Sequence, residues 1–337
     1  MGTPVVSLPA TFEGLPRVEL ATLPTPLMPL DRLSEELGGP RIWLKRDDLT
    51  GFALGGNKVR KLEYLLAEAQ ALGQKAVLTF GAVQSNHARQ TAAACARLGL
   101  DCHLLLTRRV PWAHPGYERG GNRLLDELYG AAVTLVDLED AWPAYDRLVT
   151  ELGGVGAFCE IPAGGSSVLG TAGYVRAAAE LVADFAAAGI APARLYHASA
   201  SAGTQAGLSY GLAALAAPVT VCGVNVYHPN SLRLRERLRT LQRGQIERFG
   251  PLPALPDFEI VGGYLGPGYG LPTPAERAAI ALCARLEGVL FDPVYSGKAL
   301  HALLDHVALG VFEGESDVVL LHSGGTAAWA VYDNDWD

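Results

Sequence analysis

Short apolar runs alternate with longer stretches of helical period from about residue 41 onward, and this alternation constrains the fold more than any single motif. Residues 41–45, 76–80, 102–106 and 132–136 read as strands. Between the first two, apolar residues recur at helical spacing, as at Leu62, Leu65, Leu66, Ala69 and Leu72. A small-residue helix is expected over 85–98 and another helix near 124–129. A second series follows Gly164-Gly165-Ser166-Ser167, with an Ala-rich helix over about 171–188. Strands are then expected near 195–198, 219–226, 257–261 and 318–322, with helices near 205–215, 232–249, 274–286 and 297–309. Such repetition implies right-handed crossovers and parallel pairing. A length of 337 residues suggests two lobes with sizeable cores. The proline-rich stretch 251–256 reads as a stiff connector.

The formal charge of −8 argues against a nucleic-acid partner, which would need surplus Lys and Arg, but leaves room for one phosphate held by a few amides. Cys95, Cys102, Cys159, Cys222 and Cys283 are odd in number and lack paired metal-ligand spacing. They are expected to be free thiols in a reducing cytoplasm, with no metal centre. Met1-Gly2-Thr3-Pro4 lacks the basic region and apolar stretch of a secretory signal, and no apolar run is long enough to span a bilayer. No membrane partner is expected.

Chemistry concentrates at a few turns. Lys58, in Gly55-Gly56-Asn57-Lys58, opens a helical pattern. The glycines let the backbone approach a ligand closely, and a helix N-terminus disfavours a nearby ammonium. Such an amine can hold an aldehyde cofactor as a Schiff base; the competing reading is a surface lysine beside Arg60 and Lys61. Ser85-Asn86-His87 follows a strand at the next helix start, where backbone amides can hold a carboxylate. Ser85 can equally be a helix cap, and His87 a packing residue. The loop Ser199-Ala200-Ser201-Ala202-Gly203-Thr204 offers small residues whose amides can converge on a phosphate, although such turns also serve packing. It lacks the Gly-Lys-Ser/Thr of a nucleotide loop. Tyr269 and Tyr295 precede or interrupt helical segments and are either packed aromatics or proton-handling phenols. Ser323 ends the last strand, as a turn serine or as a hydroxyl facing a cofactor ring.

These segments resemble, in this order and over nearly the whole chain, the D-cysteine desulfhydrase and 1-aminocyclopropane-1-carboxylate deaminase family of pyridoxal-phosphate enzymes. The likeness runs through Lys45-Arg46-Asp47-Asp48, Gly55 to Glu63, Gln84 to Thr91, Asp292-Pro293-Val294-Tyr295 and His322-Ser323-Gly324-Gly325. It implies an α/β fold of the tryptophan-synthase β-like type, fold type II, with parallel-rich twisted sheets flanked by helices. It also implies a larger phosphate-binding domain of residues 1–50 plus 167–337 and a smaller domain of 51–166. Lys58 is implied as the Schiff-base lysine and Asn86 as the neighbour of the cofactor oxygen. Residues 199–204 are implied on the phosphate, Ser85 and adjacent amides on the substrate carboxylate, and Tyr269 and Tyr295 at the reacting end. Ala200 replaces a frequent glycine, and Ser323 a frequent threonine.

Deaminase-type members carry Glu after the Tyr295 position and an apolar residue at 323; Ser296 and Ser323 here point instead to β-elimination. The expected reaction converts D-cysteine to pyruvate, hydrogen sulfide and ammonia in a cytoplasmic homodimer. Ser296 and Gln205 also look like L-cysteate sulfo-lyases, the alternative reading. A cyclopropane deaminase, a racemase and a non-catalytic cofactor carrier are the remaining possibilities.

Overall fold

A computed structural model describes residues 8–252 and 256–333. Residues 253–255 of the expected connector lie outside the described residues. The chain begins with helix α1 (Ala10–Glu13), strand β1 (Leu27–Pro29), helix α2 (Asp31–Leu37) and strand β2 (Arg41–Arg46). Next come α3 (Lys58–Ala71), β3 (Ala76–Ala82), α4 (Asn86–Leu98), β4 (Asp101–Thr107), α5 (Gly121–Leu128) and β5 (Ala132–Val136). Helix α6 (Ala141–Glu151) and strand β6 (Cys159–Ile161) follow, then α7 (Val168–Ala188), β7 (Arg194–Ser199) and α8 (Gly203–Ala214). The remainder is β8 (Thr220–Asn225), α9 (Ser231–Phe249), β9 (Glu259–Val261), α10 (Pro274–Glu287), α11 (Ser296–Ala308) and β10 (Asp317–His322).

The strands form two sheets, ordered β5-β4-β3-β6 and β1-β2-β10-β7-β8-β9. Every pairing is parallel except β1 with β2. Parallel strands need helical crossovers that cover both sheet faces, which is why their sequences read as continuous apolar runs. The antiparallel β1 ends on Pro29, which has no N–H to donate and therefore sits on an edge strand.

The lysine-bearing helix α3 is packed against α7 by close backbone contacts. A Cβ built on Gly173 of α7 would lie 2.1 Å from the Arg60 carbonyl oxygen, so only glycine allows α3 to pack this near α7. In the same way a Cβ on Gly207 of α8 would meet the Thr171 carbonyl at 2.5 Å. Arg60 is fully enclosed. It donates to Asp47 through Nε at 2.9 Å and Nη2 at 2.8 Å, and to Glu180 through Nη1 at 2.9 Å. Burial pushes the Asp47 carboxyl up, but Arg60 beside it outweighs that and holds it below the usual range. This pair ties the first turn of α3 to the end of β2, two residues from Lys58. All five cysteines are free. Among the described residues no helix is long and apolar enough to cross a membrane.

Candidate active site

The turns after β3, β7 and β10 open onto one cavity of about 530 Å³, with the start of α3 on its wall. Ligands in open α/β sheets bind outside the carboxyl ends of strands for this reason: helix N-termini and free amides converge there. Lys58 is the first residue of α3. Gly55 and Gly56 approach it with φ of 70° and 121°, and a Cβ on Gly55 would lie 1.7 Å from the Asp48 carbonyl oxygen. The Asn57 amide donates to the Ser323 carbonyl at 3.0 Å, and the Gly56 amide to Asp47 at 2.9 Å. The Lys58 amine donates to Asn57 Oδ1 at 2.6 Å. It lines the cavity. Burial pushes its pKa down to about 8; nearby Asp292 opposes this and Arg89 adds to it. A substantial neutral fraction is therefore present near neutral pH, as attack on a carbonyl requires.

Ser85 caps α4, its Oγ accepting from the Ala88 amide at 3.1 Å, and also lines the cavity. Gly81 makes room for it, since a Cβ there would fall 2.6 Å from the Ser85 Cβ. Among the described residues the amides of Asn86 and His87 find no acceptor, leaving two donors at the helix start. Asn86 Oδ1 accepts from Asn122 Nδ2 at 3.0 Å, so the Asn86 amide nitrogen is turned to the cavity. Thr79 spends its hydroxyl proton on the Ile161 carbonyl at 2.7 Å. His87 Nε2, 2.8 Å from the same hydroxyl, must therefore be the protonated nitrogen, and buried Nδ1 is left as an unpartnered acceptor. Burial, then Lys58 and Lys61, hold His87 neutral.

The loop between β7 and α8 has free amides at Ala200, Ser201 and Ala202 among the described residues. Ala202 takes a left-handed φ of 70°, an unusual choice for a non-glycine that costs about 1 kcal/mol or more and turns successive N–H groups to one side. Ala200, in place of a frequent glycine, does not take a positive φ; the left-handed position is Ala202. Thr204 lines the cavity and accepts from Asn57 Nδ2 at 3.3 Å. Gly203 stands one layer back, its amide donated to Ser166 Oγ at 3.2 Å. Ser199 lines the wall, with its hydroxyl donated to Gln205 Oε1 at 2.8 Å.

Tyr269 and Tyr295 meet hydroxyl to hydroxyl over the cavity, their rings 5.8 Å apart. Asp292, fully buried, fixes the second of them: its Oδ1 accepts from the Tyr295 amide at 2.8 Å and from Val294 at 2.9 Å. Three carbonyls of the Tyr269 loop, those of Leu265, Gly268 and Leu271, surround the Lys298 ammonium. Burial pushes Tyr269 up to about 12 and Tyr295 further still. Ser323 lines the cavity and its hydroxyl makes no hydrogen bond within the described protein. Ser296 and Gln205, which suggested distinctions among relatives, do not line it. Ser296 is bonded to Asp292, and Gln205 Nε2 to the Val221 and Glu259 carbonyls at 3.2 and 2.7 Å.

Lys61 was passed over in the sequence because it shares a helix turn with Arg60. It is buried, donates to the Gly164 carbonyl at 3.1 Å and to Ser166 Oγ at 3.2 Å, and has no carboxylate partner among the described residues. Burial, then Lys58 and Arg237, depress its pKa strongly. Ser166 in turn meets Ser201 Oγ at 2.7 Å, placing Lys61 directly behind the free-amide loop. A buried cation backed by free amides and without an acid is a fit for a phosphate. Asn122, Arg109 and Tyr227 were missed as well; they come from loops and a helix with no local signature.

An enclosed amine of lowered basicity, an anion cradle and a pair of phenols facing one cavity define an enzyme site built around a phosphorylated carbonyl cofactor. The chain belongs to the pyridoxal-phosphate dependent enzyme family, whose match covers residues 18–324. It is similar to the D-cysteine desulfhydrase of Salmonella choleraesuis (strain SC-B67), with 41% identity over 319 residues, 94% of this chain and 96% of that protein. A solved ACC deaminase homologue superposes with a TM-score of 0.85 at 34% identity, covering 97% of both chains. A solved threonine deaminase, with a TM-score of 0.63 and 24% identity over 89% of this chain and 92% of that one, shares the fold. The expected fold class, type II with parallel-rich sheets, is thereby established, as is pyridoxal phosphate as the cofactor.

Proposed function

We propose that this chain is a carbon–sulfur lyase that eliminates sulfur from the β-carbon of an amino acid, D-cysteine first, giving pyruvate, hydrogen sulfide and ammonia. The observation that carries the reading is the joint presence, in one cavity, of the Lys58 amine and the linked Tyr269 and Tyr295 hydroxyls. The likeness to D-cysteine desulfhydrases supports the substrate. The free amides of residues 200–202, the Thr204 hydroxyl and Lys61 would hold the phosphate. Asn86 would donate to the ring oxygen, and Ser323 would stand at the ring nitrogen. Bound there, pyridoxal phosphate supplies the electron sink that makes an α-proton acidic.

The protein's own groups do the rest. The amides of Asn86 and His87, with the Ser85 hydroxyl, orient the substrate carboxylate. The neutral Lys58 amine takes the α-proton onto Nζ. The Tyr269 and Tyr295 hydroxyls are hydrogen-bonded to each other, and this phenol pair would pass a proton to the departing sulfur. With Ser296 and Gln205 turned away from the cavity, the specific support for an L-cysteate sulfo-lyase falls away. A two-domain division into 51–166 and 1–50 with 167–337 belongs to the same proposal, each sheet falling within one of them. So do a homodimer and a cytoplasmic location, which the family resemblance supports.

Release of pyruvate is measured from D-cysteine, L-cysteine, L-cysteate and β-chloro-D-alanine, with ammonia release from the cyclopropane amino acid. D-Cysteine turnover well above the others is expected. A protein that carries the cofactor yet releases pyruvate from none of them would refute the elimination reading.

A further inference from the structure

Arg109 follows the end of β4 and lines the cavity. Its Nε donates to Thr107 Oγ1 at 2.9 Å and its Nη1 to Tyr227 OH at 2.6 Å. Thr107 belongs to the four-stranded sheet, and Tyr227 follows β8 of the six-stranded sheet, so the guanidinium bridges the two across the mouth. The Tyr227 ring packs edge-on against Tyr269 at 5.1 Å, and Tyr269 meets Tyr295. Arg109 thus stands beside the phenols that face the reacting end. Both of its protein partners are neutral oxygens, and among the described residues it forms no ion pair. The one carboxylate lining the cavity, Glu236, lies on α9 next to Arg237, which donates to the Ser201 carbonyl at 3.0 Å, at the cradle end. A half-buried cation held by neutral partners, with no acid at its end of the cavity, is poised for an anion that arrives with the substrate.

We infer that Arg109 is the subsite for the β-substituent, and that it selects amino acids whose substituent carries negative charge: thiolate or sulfonate. The inference rests on the elimination reading and adds the residue that reads the leaving group. In the reaction the α-proton passes to the Lys58 amine and the Cβ–S bond breaks with both electrons leaving on sulfur. A thiolate substituent leaves as sulfide and takes one proton from the Tyr269–Tyr295 phenol pair to depart as hydrosulfide, whereas a sulfonate leaves as sulfite and needs no proton. Water hydrolyses the remaining enamine to pyruvate and ammonia. Arg109 faces the sulfur both before the bond breaks and after the charge has left the carbon. A neutral β-substituent such as chlorine gains less from it, having no charge until departure.

The test compares holoenzyme with Arg109→Met and Arg109→Lys, both checked for bound cofactor and native circular dichroism. The kcat/KM for cysteate and for β-chloroalanine is measured with both hands of each, and the ratio is formed within one hand. Loss of a charge-assisted hydrogen bond predicts a fall of roughly 10- to 100-fold in the cysteate-to-chloroalanine ratio for Arg109→Met. Arg109→Lys, which keeps the charge and loses the fork, should recover part of the ratio. An unchanged ratio would overturn the inference while leaving the elimination reading intact. So would equal losses on both substrates, complete loss included, or an Arg109→Lys ratio as low as that of Arg109→Met. Turnover of β-chloroalanine but not of cysteate by the unaltered protein would also overturn the inference, whereas no pyruvate from cysteate, β-chloroalanine or cysteine would instead remove the elimination reading itself.

Discussion

Lys61→Met separates a cofactor contact from a structural one. Lys61 is 1% exposed and, among the described residues, makes hydrogen bonds only to the Gly164 carbonyl and Ser166 Oγ, with no carboxylate to offset its burial. In the apoprotein Met removes two hydrogen bonds worth roughly 0.5–1.5 kcal/mol each, but also removes the cost of enclosing an amine that burial disfavours in its charged form. These oppose one another, so apoprotein stability should change by no more than about 1 kcal/mol, or ~3 °C in Tm for a chain of this size. With a phosphate beside it the balance differs. A charge-assisted hydrogen bond is worth about 1.5–3 kcal/mol, so pyridoxal phosphate should bind roughly 10- to 150-fold more weakly to the variant. Fluorescence titration of apoprotein with pyridoxal phosphate, run beside unphosphorylated pyridoxal, checks this. Pyridoxal should bind variant and wild type alike. Equal weakening of both compounds, or an apoprotein destabilised by more than about 3 kcal/mol, would refute the assignment of Lys61 to the phosphate.

Three further outcomes are expected. Because Lys58 must be neutral to react, capture of pyridoxal phosphate by apoprotein should accelerate as pH rises through about 8 and level off above it, followed by stopped-flow absorbance. Gly173→Ala would put a methyl 2.1 Å from the rigid Arg60 carbonyl, forcing α3 away from α7. A loss of about 1–3 kcal/mol in urea denaturation, together with weaker cofactor binding, is expected. Asp47→Asn takes from Arg60 one of its two carboxylate partners, Glu180 remaining at 2.9 Å, and should cost roughly 1.5–3 kcal/mol at pH 7. The carboxyl of Asp47 is held below its unfolded value, so its contribution is present above about pH 4 and is lost as pH falls through the folded value. Denaturation at pH 7 and pH 3 should therefore show the gap between wild type and variant narrowing in acid.

Much of the architecture was legible because parallel strands advertise themselves as apolar runs and their crossovers as helical period. The residues at strand ends were legible too: 58, 85–87, 199–202, 204, 269, 295 and 323 all line one cavity. What escaped had identifiable reasons. Strands β1 and β6 have three residues each, too short for any period. Helix α6 and helix α2 went unnoticed beside stronger neighbours, and α5 begins at Gly121, ahead of its first apolar residue. Lys61 looked exposed because an amphipathic helix presents one face to water, whereas α3 is buried around its whole first half, from Val59 to Ala67. Ser296 and Gln205 stand next to cavity residues in sequence but point the other way, into the Asp292 turn and the sheet. Arg109 and Tyr227 are far apart in the chain and join only when the two sheets meet.

The hydrogen bond from Asn57 to the carbonyl of Ser323 bears on biosynthesis. On the ribosome the reactive amine emerges well before the turn that completes its surroundings. A polypeptide made only as far as residue 316 therefore lacks the backbone contact that fixes the approach to Lys58, as well as strand β10 of the larger sheet. A chain truncated before that strand should emerge from the cell colourless.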